Sequence, residues 1–101
     1  MSKENAMEFI KKLFYDDEFA AEALKTIDVG RMLKHGGSTE AIEARQYELQ
    51  TEMGNNMNYE FTQEEYKAAT QDWVKEVGAF ESLKKGVHFS GLAKKVKKGK
   101  L

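Results

Sequence analysis

The chain has 101 residues, 41% of them hydrophobic and 33% charged, with no proline and no cysteine. That length allows one domain with a modest core. The missing cysteine excludes a disulfide scaffold, thiolate metal sites and a thiol nucleophile. The formal net charge of −1 conceals a division: residues 1–81 carry all seventeen acids against nine Lys/Arg, a net −8, whereas residues 82–101 carry seven lysines and no acid, a net +7. An acidic body and a cationic tail of this kind read as segments with different tasks.

The opening, Met1-Ser2-Lys3-Glu4-Asn5-Ala6, has no basic run followed by an apolar stretch and does not read as a secretory signal. No apolar run approaches the roughly 18 residues of a bilayer span. Ser2 is placed to cap a first helix over residues 3–15, in which Ala6, Phe9, Ile10, Leu13 and Phe14 recur at three-and-four spacing. Asp16 and Asp17 break that stripe and offer a new cap. A second helix over residues 17–27 turns Phe19, Ala20, Ala23, Leu24 and Ile27 inward, and its leading acids suit the helix dipole. From Asp28 to Ser38 the pattern weakens, and Gly30, Gly36 and Gly37 leave room for a short turn around Met32 and Leu33. Ser38 caps a third helix over residues 39–53 with a thin stripe of Ile42, Leu49 and Met53, flanked by Ala41, Ala44 and Tyr47. Gly54 reads as its stop, and Asn55, Asn56 and Asn58 as a loop.

The strongest start signal is Phe61-Thr62-Gln63-Glu64-Glu65-Tyr66. Thr62 is the cap, Glu65 closes a capping box, and Phe61 staples against Tyr66. This helix continues through Ala69, Thr70 and Trp73 to Val77, and Gly78 stops it. Residues 79–85 add one or two turns carrying Phe80 and Leu83. The expected fold is all-α: a small bundle of three to four short helices with a flexible cationic C-terminal tail. The division falls between an acidic helical domain, residues 1–85, and a basic segment, residues 86–101.

If the tail coils, Phe89, Leu92, Ala93 and Val96 share one face, and Lys94, Lys95, Lys97 and Lys98 populate the rest. That is the outline of a cationic amphipathic segment for an anionic membrane, each lysine there contributing about 1 kcal/mol. Gly91 and Gly99 each cost such a helix about 1 kcal/mol relative to alanine, so binding would have to induce it. The plainer reading is a disordered solubilising tail. No specific nucleic acid is expected, because the −8 body repels a polyanion and the tail has no arginine.

No recognisable catalytic set is present, and no enzyme activity, metal or cofactor is expected. His35 and His88 stand 53 positions apart, each near glycine, without further ligands at helical or turn spacing. There is no nucleophile-elbow motif. Gly36-Gly37 lacks the Lys-Ser/Thr and the preceding strand of a phosphate loop. As a double-glycine leader cleavage site it would have Lys34 and Arg31 where apolar residues are usual, and a helix stop before Ser38 fits better.

Two stretches resemble the nif-eleven-type leader-peptide family of ribosomally made, modified peptide precursors. The first is Met1-Ser2 with Phe9-Ile10-Lys11-Lys12-Leu13, then Asp16-Asp17-Glu18-Phe19 and Ala23-Leu24. The second runs from Gly54 to Asn58 and on through Tyr59-Glu60-Phe61-Thr62-Gln63-Glu64-Glu65-Tyr66, similar to the family's Phe-Thr-x-Glu-Glu signature before its last helix. The resemblance implies a cytoplasmic precursor. Its leader is gripped by a peptide-modifying enzyme or peptidase-transporter through Phe9, Leu13, Phe19, Phe61, Thr62, Glu65 and Tyr66. Its cationic C-terminal segment is the modified, membrane-active or exported cargo, with His88, Phe89 and Ser90 among the modification targets. Those apolar leader positions are also the natural core of a small bundle, and taken singly each fits that role better. Two departures stand out. Residues 28–53 look like an insertion, and the family's Gly-Gly or Ala-Gly end is replaced by Lys85-Gly86 or Ser90-Gly91. With no cysteine, no threonine and a single serine, the tail is closed to lanthionine and thiazole chemistry. The alternative is a small acidic helical binding module, immunity-like or an inhibitor, whose acidic face meets a basic protein partner.

Overall fold

Among the described residues, five of six helices start on a side-chain cap, as local chemistry dictates. The computed structural model describes residues 2–34 and 36–101 and builds α1 (Lys3–Tyr15), α2 (Asp17–Leu24), α3 (Val29–Met32), α4 (Thr39–Asn56), α5 (Gln63–Val77) and α6 (Ala79–Lys97). Ser2 Oγ accepts from the Asn5 amide, Asp16 from Phe19, Asp28 from Gly30 and Ser38 from Ala41. At α5 the capping box is complete: Thr62 Oγ1 accepts from the Glu65 amide at 3.1 Å, and Glu65 Oε1 accepts from the Thr62 amide at 2.8 Å. The Phe61 ring stacks on Tyr66 with centroids 5.4 Å apart, closing the expected staple. α6 has no side-chain cap and starts from Gly78, whose φ of 90° lies in the region that favours glycine.

The core joins all six helices. Phe9 of α1 sits at its aromatic centre, with Phe19, Tyr59, Phe61 and Tyr66 rings 5.4–6.2 Å away. Leu13, Leu24, Leu49 and Met53 are fully enclosed around it. Phe14 then stacks on Trp73 at 5.0 Å and meets the edge of Phe89 at 5.4 Å, which carries the core from α1 and α5 into α6.

The fold is all-α, as expected, and among the described residues it has no strand. Three expectations are corrected. Among the described residues there are six helices rather than three to four, because residues 29–32 and 79–97 form helices of their own. α4 does not stop at Gly54 but runs to Asn56, with the turn made by Asn58 at φ 69°. Gly54 is buried, and its hydrogen atoms face the Phe61 ring.

The largest correction concerns the tail. Residues 86–97 are helical and do not form a separate tail: they continue α6, which packs against α1, α2, α3 and α5. The proposed boundary between residues 85 and 86 falls inside this helix. Phe89, Leu92 and Ala93 are core residues, and Val96 packs against them. Burying a large apolar side chain contributes about 1.5–3 kcal/mol. Gly86 and Gly91 each cost the helix about 1 kcal/mol. Core burial therefore exceeds the glycine penalty, and no external surface is needed to induce the helix. Among the described residues no helix is long and apolar enough to cross a membrane.

Candidate protein-interaction surface

The residues expected to recognise a partner lie mostly inside. Phe9, Leu13, Phe61 and Tyr66 are buried and Phe19 is half-buried, so each works as core in the folded chain. Thr62 and Glu65 are occupied by the capping box. The structure brings the five apolar members together around Phe9, but as a packed centre and not as a surface.

The tail residues divide between the two sides of α6. Phe89 and Leu92 face the core, Ser90 and Val96 are half-buried, and Lys94, Lys95, Lys97 and Lys98 are exposed. None of those four lysines has an ion-pair partner among the described residues. His88 is exposed, and its Nε2 lies 2.8 Å from Asp17 Oδ1, a polar tie from α6 to the start of α2. His35 lies outside the described residues. Among those described, no group of three or more His, Cys, Asp or Glu is placed to hold a metal ion.

The side of α6 turned away from the core carries a second apolar set. Phe80, Leu83 and Val87 are 75%, 67% and 66% exposed. Their i, i+3, i+7 spacing puts them on one face, and Lys94 and Lys98 extend the same line toward the C-terminus. Beside Leu83 and Val87 an open groove of about 630 Å³ runs between α5 and α6, with Trp73, Val74 and Ala79 contributing apolar surface. Lys84 stands at the edge of the stripe: its Nζ is 5.4 Å from the Phe80 ring centre and 3.9 Å from Glu81 Oε2. The result is an apolar strip bordered and prolonged by lysine.

Sequence reasoning marked Phe80 and Leu83 as part of a short helical turn and did not mark Val87. The signal was present as two apolar stripes on one helical wheel, Phe80-Leu83-Val87 and Phe89-Leu92-Ala93-Val96. It becomes visible only when residues 79–97 are taken as one helix. No protein-family model, curated protein or solved structure matches this chain.

Proposed function

We propose that this chain is a protein-binding module whose contact surface is the outer face of α6, and whose partner presents an acidic amphipathic segment. The observation that carries this reading is the exposure of Phe80, Leu83 and Val87 in a row on a helix whose opposite face already serves the core. Burial of the inner face accounts for folding, so the outer stripe is surplus to it. Large apolar side chains at i, i+3 and i+7 beside a groove match a helix-in-groove contact. Lys94 and Lys98, which have no ion-pair partner among the described residues, set the preferred charge of the partner as negative, whereas Lys84 is already beside Glu81. The basic-partner alternative is weaker on this ground: the acids of the body are spread over several helices, and binding hot spots need a desolvated apolar centre.

The precursor reading carries a structural requirement. Releasing residues 86–101 as cargo withdraws Phe89, Leu92 and Ala93 from the core, and gripping Phe9, Leu13, Phe61 or Tyr66 requires the leader to open. A pair of measurements separates the two. A photo-crosslinking residue is placed at Leu83, or at exposed Gln63 as control, in the producing cells, and the native chain is weighed intact. The expected result is a discrete protein adduct from Leu83 and none from Gln63, lost when Lys84, Lys94 and Lys98 are changed to Glu, with residues 86–101 at unaltered mass. A mass loss or shift confined to the last 15–20 residues, without an adduct, overturns the binding-module reading in favour of the precursor.

A further inference from the structure

The chain has two arginines, Arg31 and Arg45, and both line one recess together with Lys34 and Gly36. Arg31 comes from α3, Arg45 from the second turn of α4, and Lys34 from the link between them. Three cations meet here within a stretch whose net charge is −8. Their repulsion is relieved only in part. Arg31 Nη2 lies 3.3 Å from Glu48 Oε1, and Arg45 Nη1 donates to the Lys34 carbonyl at 3.2 Å. One carboxylate against three cations leaves a surplus of two positive charges. The Lys34 ammonium has no ion-pair partner among the described residues.

Lys34 also lines a second cavity, of about 300 Å³, which extends inward between α3, α4 and α6. Phe14, Met32, Leu33, Ile42, Phe89 and Ala93 give it an apolar interior. Gln46 and Gln50 in its wall are held by the fold: Gln46 Nε2 donates to the Met32 carbonyl at 2.9 Å, and Gln50 Oε1 accepts from the Tyr66 hydroxyl. The opening has a cause in the sequence. Ile42 is the one large apolar residue in the first two turns of α4, so this end of the helix cannot close on α6.

We propose that the cleft binds a small amphiphilic anion, an aliphatic carboxylate of medium chain length. Its chain lies between Met32, Ile42, Phe89 and Phe14, and its head group is held by Lys34 with Arg31 and Arg45. An apolar interior that shares Lys34 with a recess holding Arg31 and Arg45, and with one carboxylate for three cations, selects for this combination. The guanidinium fork matches a carboxylate in shape and charge. The volume stands at the lower end of small-molecule pockets, which sets the chain length. Phe80, Leu83 and Val87 do not line the site, which meets the groove beside them only at Gly86 and Ser90.

The test is an NMR titration of the whole chain with sodium decanoate below its micelle concentration, beside 1-decanol and decyltrimethylammonium. Decanoate is expected to give saturable, one-to-one shifts centred on Met32, Ile42, Gln46 and Phe89. Decanol should bind about tenfold more weakly, and decyltrimethylammonium should leave these signals in place. Lys34→Gln, at an exposed position, should weaken decanoate by about tenfold without moving the melting temperature. Ile42→Trp, which fills the cavity from a half-buried position, should abolish the shifts. Equal binding of decanoate and decanol, no effect of Lys34→Gln, or shifts that neither saturate nor localise to the cleft would each overturn the proposal.

Discussion

Gly54 and Phe61 compete for one space. A Cβ added at Gly54 would collide with the far edge of the Phe61 ring, and that ring also touches Phe9 and staples α5. Helix propensity alone favours alanine over glycine by at most about 1 kcal/mol here, since Gly54 lies in the last turn of α4. Overpacking costs about 1–3 kcal/mol, and here the displaced atom belongs to a wedged aromatic. Gly54→Ala is therefore expected to be destabilising, read as a lower urea midpoint, with partial recovery in Gly54→Ala/Phe61→Leu. A stabilised single variant would refute the close packing. Tyr66 makes a second residue-scale case. Burial, followed by the neighbouring Tyr47, raises its hydroxyl pKa well above the usual tyrosine range. A group whose folded pKa is raised contributes stability below its unfolded pKa and loses it as pH climbs toward the folded value. Stability should thus fall above about pH 10. Tyr66→Phe forfeits the hydrogen bond to Gln50, about 1 kcal/mol near neutrality, and should flatten that alkaline decline. Denaturant midpoints measured from pH 7 to 11 check both parts.

At the scale of the element, α6 is the informative case because both of its faces are apolar and only one is used by the fold. Phe89→Ala removes a buried ring in contact with Phe14 and should cost about 3–5 kcal/mol. Changing Phe80, Leu83 and Val87 together to serine should move stability by no more than about 0.5 kcal/mol per site. Similar losses from both sets, in chemical denaturation, would show that the outer stripe also belongs to the core. The contrast with α5 is useful. The start of α5 was legible because Thr62, Glu65 and the Phe61–Tyr66 staple act within a single turn. The inner face of α6 was legible as a stripe, but its occupant was not. The side chains that cover it, Phe14 among them, come from far along the chain.

At the scale of the whole molecule, the acidic body and cationic tail share one core. Ending the chain after Lys85 deletes Phe89 and Leu92, at about 2–5 kcal/mol each. Domains of this size have about 5–15 kcal/mol of stability in all. The shortened chain is expected to lose its cooperative thermal transition and its dispersed NMR spectrum. A cooperative melt of residues 1–85 would instead favour the body-and-tail division. The lysines at positions 94, 95, 97 and 98 remain on the surface, so the tail keeps its charge for outside contacts while its apolar side is used internally.

The sequence by itself determined the helical class, the caps at Ser2, Asp16, Ser38 and Thr62, and most of the inward residues. Each depends on neighbours one or two turns away, through a hydrogen bond or a helical repeat. Only the tertiary structure decided that residues 86–97 join the core, that Gly54 seats an aromatic ring, and that Arg31, Lys34 and Arg45 meet at one cleft. Those outcomes depend on which distant surface arrives to cover an apolar face or to leave it open. The charge division that marks the chain from the start is accordingly a division of its surface, laid over a core that both parts build.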